Sequence, residues 1–304
     1  MWLIHTGTGN LREFVVDERP KEYAILSHCW TNNEVSHKQY QSQTHRDGYG
    51  FNKIQNCCRL ASDQGIEWLW VDTCCIDKTS SSELAEAINS MFSWYEGASV
   101  CFVLLPDYDS TASTCENNLT RFSTNQSRSR QTKLHDSKWF TRGWTLQELL
   151  APTKILFYDR NCVLFGCKRC LGPLLSAITK IDLEYLTKRK PLHFASIACR
   201  MSWASARSTT RIEDTAYALL GIFNVNMSLR YGEGIRAFAR LQELILQRSD
   251  DDSLFAWRST VRQDRYGLFA EHPVDFAFSA NVVPIRRRSF PHTVTGRGVE
   301  LFAP

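Results

Sequence analysis

The chain is 304 residues long, a length that suits about two domains. Hydrophobic residues make up 43% and charged residues 22%, which excludes intrinsic disorder and collagen-like sequence for most of it. Thirty-six Lys and Arg against 32 Asp and Glu leave +4, too small an excess to argue for nucleic acid or an anionic membrane surface.

Tyr23 to Trp30 is a short apolar run with a polar tip, the pattern of a buried strand. Thr31 to Gly50 is polar and reads as a long loop. Phe51 to Gln64 places Ile54, Cys57 or Cys58, and Leu60 or Ala61 on one helical face, with Gly65 positioned to end the helix. Ile66 to Asp72 is a second strand. Ser80 and Glu83 have capping-box spacing, and Leu84, Ile88, Met91 and Tyr95 carry the helix onward. Ala98 to Leu105 is a third buried strand. Apolar strands alternating with helices predict an α/β fold, a parallel sheet covered on both faces.

Asp107 to Lys138 interrupts this pattern with Ser, Thr, Asn and Arg, and reads as a disordered insert or a lid. The second half of Trp139 to Leu150 is a short helix before Pro152, and Lys154 to Tyr158 a fourth strand. From about Asn161 the character changes. Ile212 to Phe223 and Gly234 to Arg248 are helical, and the C-terminal part holds short β-like runs. The predicted division is residues 1–160 and a mainly helical extension over 161–304. The chain stops just after a β-like run and reads as a fragment of a longer protein.

No apolar run approaches the ~18 residues of a membrane span, and Met1 to Phe14 has no signal-peptide pattern. Eleven scattered cysteines, with pairs such as Cys57-Cys58 and Cys74-Cys75 in apolar runs, read as reduced thiols in a cytoplasmic protein. The sequon at Asn118 is silent in that setting.

In a parallel α/β sheet, ligands bind outside the carboxyl ends of the strands. That singles out Ser27, His28, Cys29 and Trp30, then Asp72 to Cys75 with Asp77, then Arg142, Trp144 and Glu148. On a helix, Trp144 and Glu148 at i and i+4 share a face, so a flat ligand would meet an acid or general base beside the ring. Each residue also has an ordinary role open to it. Glu148 suits an exposed helix position, Trp144 the core, Asp72 a cap and His28 a structural hydrogen bond. Cys162, Cys167 and Cys170 supply only half of a zinc site, so no metal is expected. Gly7-Thr8-Gly9 is not read as following a strand and lacks a third glycine, which argues against a dinucleotide fingerprint. Cys74 or Cys75 with His28 follows no nucleophile motif, and Arg286 to Arg288 reads as a solvated face.

The blocks AILSHCW (24–30), WLWVDTCCID (68–77) and WFTRGWTLQELLAP (139–152) resemble the three signature blocks of the fungal heterokaryon-incompatibility (HET) domain, in order and spacing. MWLIHTGTGNLREF is similar to the leader that often precedes the domain, and residues 201–257 and 267–278 to the region that follows it. The insert is longer than the family usually shows. The resemblance implies a cytoplasmic protein of fungal non-self recognition, set off by a protein trigger and ending in programmed cell death. A remoter resemblance is to TIR domains. LAEAINSMFSWYEGASVCFVLLPDY followed by WTLQELL is similar to their helix, apolar strand and W-x-x-x-E-L helix. That implies a flavodoxin-like sheet, a capacity to form homo-oligomers, and NAD as substrate rather than cofactor. Glu148 would then be the catalytic carboxylate. Ser27, Trp30, Asp72, Arg142 and Trp144 would bind substrate, with Trp30 or Trp144 stacked on a flat ring and Arg142 on phosphate. The other reading is a non-enzymatic module that signals by oligomerising or recruiting partners.

Overall fold

The computed structural model describes residues 1–15, 18–42, 48–110, 134–259, 267–283, 293–295 and 298–300. The chain opens with an antiparallel hairpin, β1 (Trp2–His5) and β2 (Leu11–Glu13). Gly7-Thr8-Gly9 therefore does follow a strand. Its turn leads into β2 and not into a helix, so it has no phosphate-binding helix N-terminus to offer.

The four apolar runs lie side by side as β3 (Ala24–His28), β4 (Trp68–Trp70), β5 (Val100–Leu104) and β6 (Ile155–Tyr158). All their mutual pairings are parallel. With β7 (Leu164–Cys167) the full order is β2-β1-β4-β3-β5-β6-β7. β1 joins β4 and β7 joins β6 antiparallel, so the parallel centre has an antiparallel strand on either side. The parallel four run second, first, third, fourth, which is flavodoxin-like order. Every residue of β3 and β5 is buried, as a sheet covered on both faces requires.

The stretch read as a loop after β3 contains α1 (His37–Gln41), started by a capping box between Ser36 and Gln39. α2 (Tyr49–Ser62) buries both Cys57 and Cys58, together with Ala61. Gly65, at φ +74°, ends the helix, and the Ile66 N–H bonds back to the Ala61 carbonyl at 3.0 Å. α3 (Ser81–Gly97) starts with half of the expected box. Ser80 Oγ accepts from Glu83 N–H, but the Glu83 carboxylate accepts from Asp77 N–H at 2.8 Å. The Ser80 N–H is already used by the Asp77 carbonyl.

Residues 111–133 of the predicted insert, with the Asn118 sequon, lie outside the described residues. Its two ends are tied together, because the Asp107 carboxylate accepts from Ser137 Oγ and Lys138 N–H, each at 2.8 Å. A 3-10 turn over Lys138–Thr141 then leads into α4 (Thr145–Leu150), buried at every position.

Beyond β7 come α5 (Gly172–Thr179), α6 (Leu183–Leu186), α7 (Ile197–Ser202), α8 (Asp214–Tyr217), α9 (Leu220–Phe223) and α10 (Arg236–Leu246). The helix predicted over 212–223 is thus divided in two. A separate hairpin pairs β8 (Thr293–Thr295) with β9 (Gly298–Glu300). Among the described residues no helix is long and apolar enough to cross a membrane.

The extension is pressed onto α3 at Gly221, where an added Cβ would stand 2.0 Å from Phe92 Cβ. Replacing Gly221 with Ala should therefore lower stability by about 1–3 kcal/mol, the usual cost of overpacking. Urea denaturation measures this, and an unchanged midpoint would contradict the close approach.

Candidate functional site

Strand order reverses between β3 and β5, so the carboxyl end of β3 is where this topology places a ligand. Successive strand residues face opposite sides of a sheet, and Ser27 and His28 accordingly enter two different networks.

Ser27 faces α4. Its hydroxyl donates to Glu148 Oε2 at 2.5 Å and accepts from Trp139 Nε1 at 2.8 Å. An indole N–H can only donate, so Trp139 fixes the serine proton on its path to the carboxyl group. Tyr95 donates to the Leu26 carbonyl at 2.9 Å and is also hydrogen-bonded to Glu148. Its proton goes to Leu26, and beside Glu148 the hydroxyl favours the ionised carboxylate. Glu148 is only 5% exposed. Burial, then the negative charge of Asp72, push its pKa from the ordinary 4.5 to about 8, against the pull of Ser27, Tyr95 and Arg207.

Arg207 comes from the extension. Its guanidinium is buried and donates to the Arg142 carbonyl and to Thr145 Oγ1, both at 2.9 Å, which leaves one buried NH2 without a partner. Burial lowers its pKa to about 10, while Glu148 and Cys29 oppose that change. The neighbouring backbone continues the attachment: Gly143 N–H bonds the Ser208 carbonyl and Ser208 N–H the Thr141 carbonyl.

His28 faces α2. Its ring nitrogens stand 3.4 Å from Glu34 and 3.9 Å from Asp72, and Lys53 pairs with Glu34 at 2.5 Å. Burial raises the Glu34 pKa, but His28 and Lys53 outweigh it and hold the carboxyl well below its usual range. Trp30, 49% exposed, donates its indole N–H to Asp72 Oδ2 at 2.6 Å.

Ser27 and Glu148 are thus in direct contact. Asp72 acts on Glu148 through its charge and on Trp30 through a hydrogen bond. Arg142 is half-exposed and donates to Thr210 Oγ1 at 3.2 Å. Trp144 sits at the N-cap of α4, half-buried, and its side chain favours the ionised form of Asp214. The Cys74 and Cys75 sulfurs bond main-chain groups of Leu69 and Val71. Burial, then the charge of Glu148, raise the Cys29 pKa to about 12, which leaves it a poor nucleophile. Among the described residues no metal-binding cluster forms.

Two clefts lie elsewhere. One of about 860 Å³ is lined by Gly7, Tyr40, Phe51 and Arg59. The other, about 1260 Å³, lies between α3 and the extension. There Arg200 and Arg248 donate to the Ile222 and Asn224 carbonyls and so cap the end of α9. Glu148 lines neither cleft.

A family model described as heterokaryon incompatibility protein (HET) matches residues 23–148, from the residue before β3 to the glutamate on α4. Over 241 residues the chain is 43% identical to the vegetative incompatibility protein HET-E-1 of Podospora anserina, covering 78% of this chain. The chain carries a heterokaryon incompatibility domain. It spans only 17% of the length of that relative. A domain of unknown function (DUF8212) matches residues 236–268 of the extension. No solved structure matches the chain. The HET match contains Ser27, Tyr95, Trp139 and Glu148 but ends before Arg207.

The buried carboxyl makes stability depend on pH. The folded pKa of Glu148 is raised, so the stability it contributes is complete below about pH 4.5 and is lost as the pH rises toward about 8. Glu148→Gln can still accept from Ser27 and cannot ionise. Its urea midpoint should match wild type near pH 4 and exceed it at pH 8. A difference that does not grow with pH would argue against a buried acid.

Proposed function

We propose that this chain is the effector part of a cytoplasmic vegetative-incompatibility protein, and that it brings about cell death by hydrolysing NAD at the nicotinamide–ribose bond. The observation that carries the reading is the Glu148 carboxyl group. It stands at the carboxyl end of β3, beside the reversal of strand order, with Ser27, Tyr95 and Arg207 all acting on it. The TIR resemblance of the same segment points to the same residue.

The chemistry asks little of the protein. In NAD the leaving nicotinamide is a pyridinium, so the C–N bonding pair neutralises its nitrogen and no general acid is needed. Water adds to the ribose carbon and releases its proton. What the site must supply is negative charge beside an oxocarbenium-like transition state, and an ionised Glu148 would provide it. Burial shuts that carboxyl off from solvent and raises its pKa to about 8, so on this reading the ionised form has to be favoured by a change in its surroundings. Arg207 favours the ionised form, and a substrate phosphate would meet Arg142 at the exposed side.

Burial of Glu148, with neither cleft opening on it, favours a second reading. In that case the domain signals without chemistry, by oligomerising or by recruiting a partner.

The deciding experiment follows nicotinamide release by the concentrated protein, wild type beside Glu148→Gln. We expect release from the wild type and at least a ~100-fold loss in the variant, the scale of removing one preorganised electrostatic group. Cell death that persists in Glu148→Gln, or no release from a verified oligomer, would favour the signalling module.

A further inference from the structure

Trp30 follows a strand that is buried throughout, yet about half of its own surface is open. The ring is held in place. Its N–H is given to Asp72 at 2.6 Å, and the Lys78 ammonium lies 3.6 Å from the ring centroid. The face of an indole attracts positive charge because of its quadrupole. Donating the N–H to a carboxylate increases the electron density of the ring and strengthens that attraction. Asp72 adds negative charge beside the ring, while Glu34, beyond His28, is paired with Lys53.

Lys78 is exposed as a residue, but its ammonium is desolvated, which lowers its pKa against the attraction of Asp72, so the present occupant of that face sits there at a cost. A flat ring that is itself cationic would gain the same attraction together with stacking area, which Lys78 cannot provide. Asp72 ties this place to the carboxyl described above, because the group that orients Trp30 also acts on Glu148.

We propose that Trp30 is a binding site for a flat aromatic cation of the pyridinium class, and that Lys78 stands in for that cation in the free protein. Assigning the ring to the nicotinamide of NAD rests on the NAD reading, whereas the cation site does not. On that reading the seat also discriminates between substrate and product. The ring is positively charged until the glycosidic bond breaks and neutral afterwards, so its attraction to Trp30 falls when it must leave.

The test is calorimetric titration of the full chain with 1-methylnicotinamide, a cation, and in parallel with neutral nicotinamide. The proteins are wild type, Lys78→Met, Trp30→Phe and Trp30→Leu. Lys78→Met should bind the cation about fivefold more tightly, because the competing ammonium is gone. Trp30→Phe should retain weakened binding and Trp30→Leu should lose it, while the neutral amide binds more weakly throughout. Equal binding of cation and neutral amide, undiminished binding in Trp30→Leu, no gain in Lys78→Met, or no binding by either protein that keeps Trp30 would overturn the proposal. Cation binding without NAD turnover would refute the NAD reading alone. Turnover without binding at Trp30 would refute this site alone.

Discussion

Moving a carboxyl group out of water costs several kcal/mol unless it is neutral or its hydrogen bonds are complete, and the end of β3 is arranged around one such group. Trp139 gives its indole N–H to Ser27, Ser27 gives its proton to Glu148, and Tyr95 gives its own to Leu26. The partners come from β3, α3 and the turn before α4, with Arg207 supplied by the extension. Displacing any of these elements changes the solvation of the same carboxyl group.

The alternation of side chains along β3 separates two environments that differ in polarity. On the Ser27 side the groups are buried, and burial raises the Glu148 pKa to about 8. On the His28 side, Glu34, Lys53, His28 and Asp72 form an ionic chain that reaches the exposed indole of Trp30. Asp72 is felt on both sides. A cationic ligand that offsets the charge of Asp72 would therefore lower the pKa of Glu148 without touching it. Ionisation of the buried acid is coupled to what happens at the rim.

The central part of the fold was legible because its signals are local. Apolar runs gave the four parallel strands, and Gly65 the end of α2. The antiparallel strand β1 was harder, since no helical crossover announces it. At the site, Ser27 and Glu148 could be named separately from their motifs. Their contact spans 121 residues, and that of Trp139 with Ser27 spans 112, distances over which a sequence pattern carries no geometric information. Arg207 lay hidden in a polar stretch of the extension, where nothing distinguishes a buried arginine from a surface one. The aromatic residues Tyr95 and Trp139 offered the one usable clue, because a buried ring with a polar atom needs a partner.

The clasp at Asp107 has a consequence for how the approach to the site is held. One carboxylate accepts from the Ser137 side chain through one oxygen and from the Lys138 backbone through the other, so two fastenings depend on a single charged group. An amide there has one acceptor oxygen where the carboxylate has two, and the start of the 3-10 turn would keep one fastening and lose the other. Position 107 is therefore a place where the exchange of a single atom reaches α4 through the backbone alone.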